Sequence, residues 1–190
     1  MSVAAAHAPP AASSSILPYA GTIFLSAFLL FLVQPIIAKQ ILPWFGGSAT
    51  VWTTCLVFFQ TTLLVGYAYS DFVVRRLSVR TQAGMHTLLL AASCLLLPII
   101  PAAHWKPLGS ENPSILTLGL LSATIGLPYF LLSTTTPLLQ AWYWQRFRTV
   151  VPYRLFALSN FASLLALLGF PVIFEPPFSL PQLGWGWSVE

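Results

Sequence analysis

Hydrophobic positions along the chain fall into five long runs, Ile16–Ala38, Thr50–Tyr69, Gly84–Pro101, Ile115–Ala141 and Leu155–Phe174, and the charged residues lie at their edges and between them. At about 1.5 Å rise per residue, each run as a helix reaches or nearly reaches across a hydrocarbon core of about 30 Å. The runs are continuously apolar and do not alternate, which selects helices over a membrane barrel. Hydrocarbon offers the backbone no hydrogen-bond partners, so a helix that satisfies its own groups is the expected form of each run. The pattern predicts an all-α polytopic helical membrane bundle with five transmembrane helices. Residues 16–174 form this domain. Met1–Ser15, rich in Ala, Ser and Pro, reads as a disordered N-terminal tail. Its small residues precede the apolar run and it lacks Lys and Arg, the reverse of a cleavable signal, so Ile16–Ala38 is expected to be a retained first span. An odd number of spans leaves the two ends on opposite faces. The aromatic segment 175–190 reads as an interfacial tail approaching a sixth helix that is truncated.

Composition supports this solvent assignment: 57% of residues are hydrophobic and 6% are charged, far from the balance of a soluble domain. The net charge of +4 does not mark a nucleic-acid partner, because the cations sit in membrane loops and not along one basic face. They do report orientation. Arg75, Arg76 and Arg80 fall in the second connection and Arg146, Arg148 and Arg154 in the fourth, whereas Lys39 and Lys106 fall in the first and third. The positive-inside rule then places the N-terminus in the cytoplasm, and the expected location is a bacterial inner membrane. Trp142, Tyr143 and Trp144 are expected at the inner interface, and Trp44, Trp105, Trp185 and Trp187 at the outer one. Cys55 and Cys94 both lie within apolar runs, so no disulfide framework is indicated.

Prolines occur in or beside most spans, at Pro18, Pro35, Pro98, Pro101, Pro128, Pro137 and Pro171, and each removes a backbone donor and tends to kink its helix. Ser133, Thr134, Thr135 and Thr136 stand between two of them. They can line a substrate path in a broken helix, or they can patch freed carbonyls. Gln34 in the first span, followed about one turn later by Lys39, could hold an anionic group. The alternative is an interhelical hydrogen bond plus a lysine reaching the interface. Gln60 and Asn160 carry the same pair of readings. If a path exists, Gln34, Lys39, Gln60, Thr135 and Asn160 are the residues expected to line it. His86, near the inner end of the third run, has no companion in metal-ligand spacing.

No carboxylate falls within a span: Asp71, Glu111 and Glu175 lie in or beside loops and Glu190 is the last residue. That argues against a carboxylate proton relay and against a polycation site in these helices. GxSxG, HExxH, CxxC and a phosphate-cradling glycine loop are absent from the sequence. The chain is therefore read as carrying no catalytic, cofactor or metal residues of its own.

Asp71, Arg75 and Arg76 keep the acid-to-base spacing found between helices 2 and 3 of major facilitator transporters, and the segment resembles that loop. Gly66 sits one residue too far upstream, and Val74 or nothing stands for the usual second glycine. The resemblance implies an inner-face charge cluster that stabilises one transport state. A longer likeness lies in FLLFLVQPIIAKQILPWFGGSATVWTTCLVFFQ (Phe28–Gln60) and PYRLFALSNFASLLALLGFP (Pro152–Pro171). Both segments resemble the membrane domain of fused major-facilitator/spermidine-synthase-like proteins, which join membrane helices to a cytosolic domain that looks like an aminopropyltransferase. The resemblance implies a membrane module that anchors a cytosolic transferase-like domain or forms part of a small-molecule transport path, and it implies no catalytic residue within these 190 positions. The expected partners are the lipid bilayer and a fused or associated transferase-like domain. The alternative function is a small structural subunit packing against a larger membrane protein complex.

Overall fold

A computed structural model describes residues 13–109, 111–148 and 153–189. They form α1 (Ser13–Ile41), α2 (Ala49–Arg76), α3 (Val79–Cys94), α4 (Pro113–Thr124), α5 (Gly126–Phe147), α6 (Tyr153–Gly169) and α7 (Leu180–Val189), with no strand among the described residues. The tail expected over Met1–Ser15 lies outside the described residues as far as position 12, and α1 includes the last three of its positions.

Local chemistry sets the helix ends. The Ser48 and Ser78 hydroxyl oxygens accept hydrogen bonds from the N–H groups of Val51 and Thr81, capping α2 and α3. Asn112 Oδ1 accepts from Ser114 and Ile115 at the start of α4. Pro113 occupies its first turn, where the missing N–H would have had no partner anyway. The chain leaves α1 through Gly46 and Gly47 at φ +78° and +62°, left-handed values that a residue without a Cβ takes readily. Two helices stop four residues before a proline: α3 at Cys94 ahead of Pro98, and α4 at Thr124 ahead of Pro128. Proline has no N–H to return to that carbonyl, and its ring collides with it.

These terminations change the expected count of spans. Three helices are long and apolar enough to cross a membrane: Ile16–Ile41, Ala49–Arg76 and Tyr153–Phe174, the last including a π-helical turn over Phe170–Phe174. The fourth run does not give one helix, because α4 and α5 meet at an angle of 66° across Ile125 and qualify as a fourth span only when taken together. The third run gives α3, whose 16 residues extend about 24 Å at 1.5 Å per residue, and then an irregular segment to Pro101. The segment expected to be an interfacial tail contains α7.

Contacts fix the helix directions. The ring of Tyr19 near the start of α1 meets that of Tyr143 near the end of α5 at 5.3 Å, so α1 and α5 are antiparallel. Phe59 meets Tyr129, and Ser70 approaches the Thr134 carbonyl, so α2 runs parallel to α5. Lys39 at the end of α1 pairs with Glu175 just beyond α6, so α1 and α6 are parallel. All six arginines named above therefore gather at one end of the bundle. Lys39 lies at the other end, together with Lys106, whose ammonium is 5.3 Å from the Trp44 ring centroid.

The densest packing lies toward the lysine end. Val33, Ile36, Ile37 and Ile41 of α1 are buried with Val51 and Phe59 of α2, Leu120 and Leu121 of α4, and Tyr129 of α5. α7 enters from this end, antiparallel to α1. Gln40 Nε2 donates to the Leu180 carbonyl at 3.0 Å, and Trp187 Nε1 donates to the Leu29 carbonyl at 2.9 Å. Trp187 is thus a buried wedge halfway down α1 and not the interfacial ring expected from the sequence. α6 packs along α1, and α2 packs along α5.

Candidate functional site

The residues expected to line a path do not converge. Gln34 Nε2 donates to Tyr129 Oη at 3.1 Å, tying α1 to α5. Thr135 Oγ1 donates to the Leu131 carbonyl of its own helix at 2.8 Å and stands 3.5 Å from His86 Nε2. Gln60 is exposed on the outer surface of α2. Lys39 pairs with Glu175, with both side chains roughly two-fifths exposed. The two line an open cavity of about 550 Å³ together with Leu42, Pro43 and Phe178. The Asp71–Arg75–Arg76 cluster is local to one helix. Arg75 Nε donates to Asp71 Oδ1 at 2.8 Å across one exposed turn, and Arg76 lies 6.0 Å from the Phe72 ring centroid.

Ser133, Thr134 and Thr135, in the hydroxyl run between the prolines of α5, spend their donors on that same helix. Ser133 Oγ donates to the Phe130 carbonyl at 2.6 Å, and Thr134 Oγ1 to the Leu131 carbonyl at 2.8 Å. The carbonyl that Pro137 leaves without a backbone donor is that of Ser133, so these bonds relieve neighbouring carbonyls and not the orphan. The serine and its neighbours also allow close approach. α2 crosses α5 at Gly66, where a Cβ would strike Ser133, a small-residue contact of the kind that brings membrane helices together.

Asn160 joins an uncharged polar constellation. Tyr67 of α2, Thr136, Pro137 and Gln140 of α5, and Phe156, Ser159 and Asn160 of α6 line a groove of about 260 Å³. No charged side chain lines it. Sequence reading missed Tyr67, Gln140 and Ser159, although the spacing of Thr136 and Gln140 (four apart, one helical face) was a usable signal. It also missed Gln82, which is buried, donates to the Leu77 carbonyl at 2.8 Å and accepts from Trp142 Nε1 at 2.7 Å. Gln82 lies ahead of the third apolar run, but α3 starts at Val79 and carries it into the bundle. Among the described residues, no group of three His, Cys, Asp or Glu side chains is placed to hold a metal.

No protein-family model, curated protein or solved structure matches the chain.

Proposed function

We propose that this chain is the membrane module of a spermidine-synthase-like fusion protein, inserted in a bacterial inner membrane with its arginine end in the cytoplasm, where it anchors a transferase-like domain. The fusion part of this reading rests on the likeness of Phe28–Gln60 and Pro152–Pro171, and the orientation rests on the sorting of charge: all six arginines named above lie at one end of the bundle and Lys39 and Lys106 at the other. A cytosolic domain would meet the arginine face, as the positive-inside rule requires. Five crossings are compatible with the helix directions. α3 and the segment after it run from the level of Trp142 to that of α7, where Ile99 N–H donates to Ser188 Oγ at 3.1 Å. α7 then turns back along α1.

Anchoring is favoured over transport by how the intramembrane polar groups are used. Gln34 and Gln82 make interhelical bonds, and the hydroxyls of Ser133, Thr134 and Thr135 bond within α5. The transport reading is supported by the α2–α5–α6 groove, which is polar but lined by no charged side chain. The deciding test is the reading frame beyond Glu190 in its natural gene. It is expected to encode a glycine-rich α/β domain, and an immediate stop would overturn the fusion reading.

A further inference from the structure

We propose that the lysine end of the bundle holds one phospholipid whose headgroup carries a primary amine beside its phosphate, seated on the Lys39–Glu175 pair with an acyl chain in the cleft below it. Two cavities meet there. The open one of about 550 Å³ is lined by Lys39, Glu175, Gly46 and Phe178 among others. The second, of about 190 Å³, is lined by Leu32, Ile36, Phe174, Phe178, Leu183 and Trp187 among others, so Phe178 is a wall of both. Leu32, Ile36 and Lys39 stand four and three residues apart, on one face of α1. The cleft therefore leads from the charged pair about 10 Å toward the middle of that helix, at about 1.5 Å per residue. Polar groups on its wall are already bonded. Trp187 Nε1 donates to the Leu29 carbonyl, and Gln182 Oε1 accepts from the Ser179 N–H and hydroxyl. What remains for a guest is chiefly apolar surface.

The charged pair sets the headgroup. Lys39 occupies the last turn of α1, and Glu175 follows the π-helical turn, where its N–H donates to the Phe170 carbonyl at 2.8 Å. That turn takes in one residue more than an α-helical one, which rotates Glu175 about 100° round the helix axis. There it meets Lys39. One ammonium N–H and one carboxylate oxygen make the pair, while both side chains stay about two-fifths exposed. An ammonium has three donors and a carboxylate two oxygens, so donors on Lys39 and an acceptor on Glu175 are left side by side on the cavity wall. A phosphate oxygen suits the first and a primary ammonium the second, and one headgroup carries both. A headgroup without an amine would set its phosphate against the Glu175 carboxylate, and a trimethylated amine has no N–H to donate. Long basic side chains hold their charge at the membrane surface, so the pair stands at headgroup depth and the cleft at acyl-chain depth. The cleft adds no selectivity among lipids, because a chain leaves surroundings as apolar as those it enters. A soluble zwitterion would leave it unfilled. The site rests on the chain lying in a membrane, and neither on its orientation nor on what it anchors.

Native mass spectrometry of the full chain, released from detergent micelles with added lipid, tests it. Dioleoyl-phosphatidylethanolamine is expected to bind at least about tenfold more tightly than the phosphatidylglycerol or phosphatidylcholine of the same chains, equal to about 1.4 kcal/mol. Lys39→Gln with Glu175→Gln keeps two side chains that hydrogen-bond each other, so helical circular dichroism should persist while the preference falls to within about twofold. Gly186 lines the cleft, and a Cβ there meets nothing within 4 Å. Gly186→Leu is therefore expected to fold, to leave the charged pair in place, and to weaken phosphatidylethanolamine binding about tenfold by filling the space of the chain. Equal affinity for the three lipids, or a preference that survives in the Gln variant, would overturn the proposal. So would unchanged lipid binding by Gly186→Leu, or displacement of the lipid by equimolar phosphoethanolamine, either of which reduces the site to one for a soluble zwitterion.

Discussion

Substituting Gly66 by alanine interrogates the closest approach in the bundle. A Cβ at this position would collide with Ser133 Oγ and stand 2.9 Å from Ser133 Cβ and 3.5 Å from the Phe130 carbonyl oxygen. Rotating the hydroxyl removes the first contact but not the second, because Cβ moves only with the α5 backbone. Non-bonded carbons are at ease at about 3.5–4.0 Å, so α2 and α5 would have to part by about 0.6–1 Å. Overpacking of this kind costs about 1–3 kcal/mol. Alanine also favours the helix over glycine by up to about 1 kcal/mol, which blurs the single mutant. The clean quantity is the coupling between Gly66→Ala and Ser133→Gly, since the propensity change is common to both backgrounds and cancels. Unfolding of the four proteins by detergent titration in mixed micelles, followed by tryptophan fluorescence, should give a coupling of about 1–3 kcal/mol. The sign should be such that Ser133→Gly relieves the alanine. A coupling under about 0.5 kcal/mol, the noise of additivity for independent sites, would refute the claim that these two helices touch here.

Two further outcomes can be checked directly. Reporter fusions after Arg80 and Arg148 should be active in the cytoplasm and one after Ser110 outside, and the reverse pattern would overturn the orientation. The Gln34–Tyr129 bond predicts a double-mutant coupling for Gln34→Leu and Tyr129→Phe of about 0.6 kcal/mol, up to about 1.7, in the same unfolding assay, with zero coupling excluding the bond.

The apolar runs made the membrane character and the helical class legible, because hydrocarbon imposes one rule on every backbone group. Where helices stop was written in Pro98 and Pro128, but as an effect on Cys94 and Thr124, one turn upstream. A run of apolar residues that spans such a point looks continuous, which is why Ile115–Ala141 reads as a single helix. Side-chain direction was the least legible. α1 and α2 are apolar on most faces, so nothing local distinguishes Gln34, which turns inward to Tyr129, from Gln60, which turns out. From sequence Trp187 reads as an interfacial ring because it follows the fifth run on the outer side, a depth that amphipathic rings prefer. Only the return of α7 along α1 gives its N–H the Leu29 carbonyl. The groove escaped notice for a related reason: its members come from three helices, and only Asn160 is unusual enough in its own helix to draw the eye.

The bend between α4 and α5 shapes the lysine end of the bundle. The 12 residues of α4 measure about 18 Å. At 66° to α5 they advance only about 7 Å along that helix and about 16 Å across it, given the same rise per residue. The sideways length lies toward the lysine end, where α4 packs on the first half of α2 and Gly119 meets the Trp105 ring. The bend therefore spreads the chain sideways at the lysine end, where α4 covers α2 instead of continuing the axis of α5.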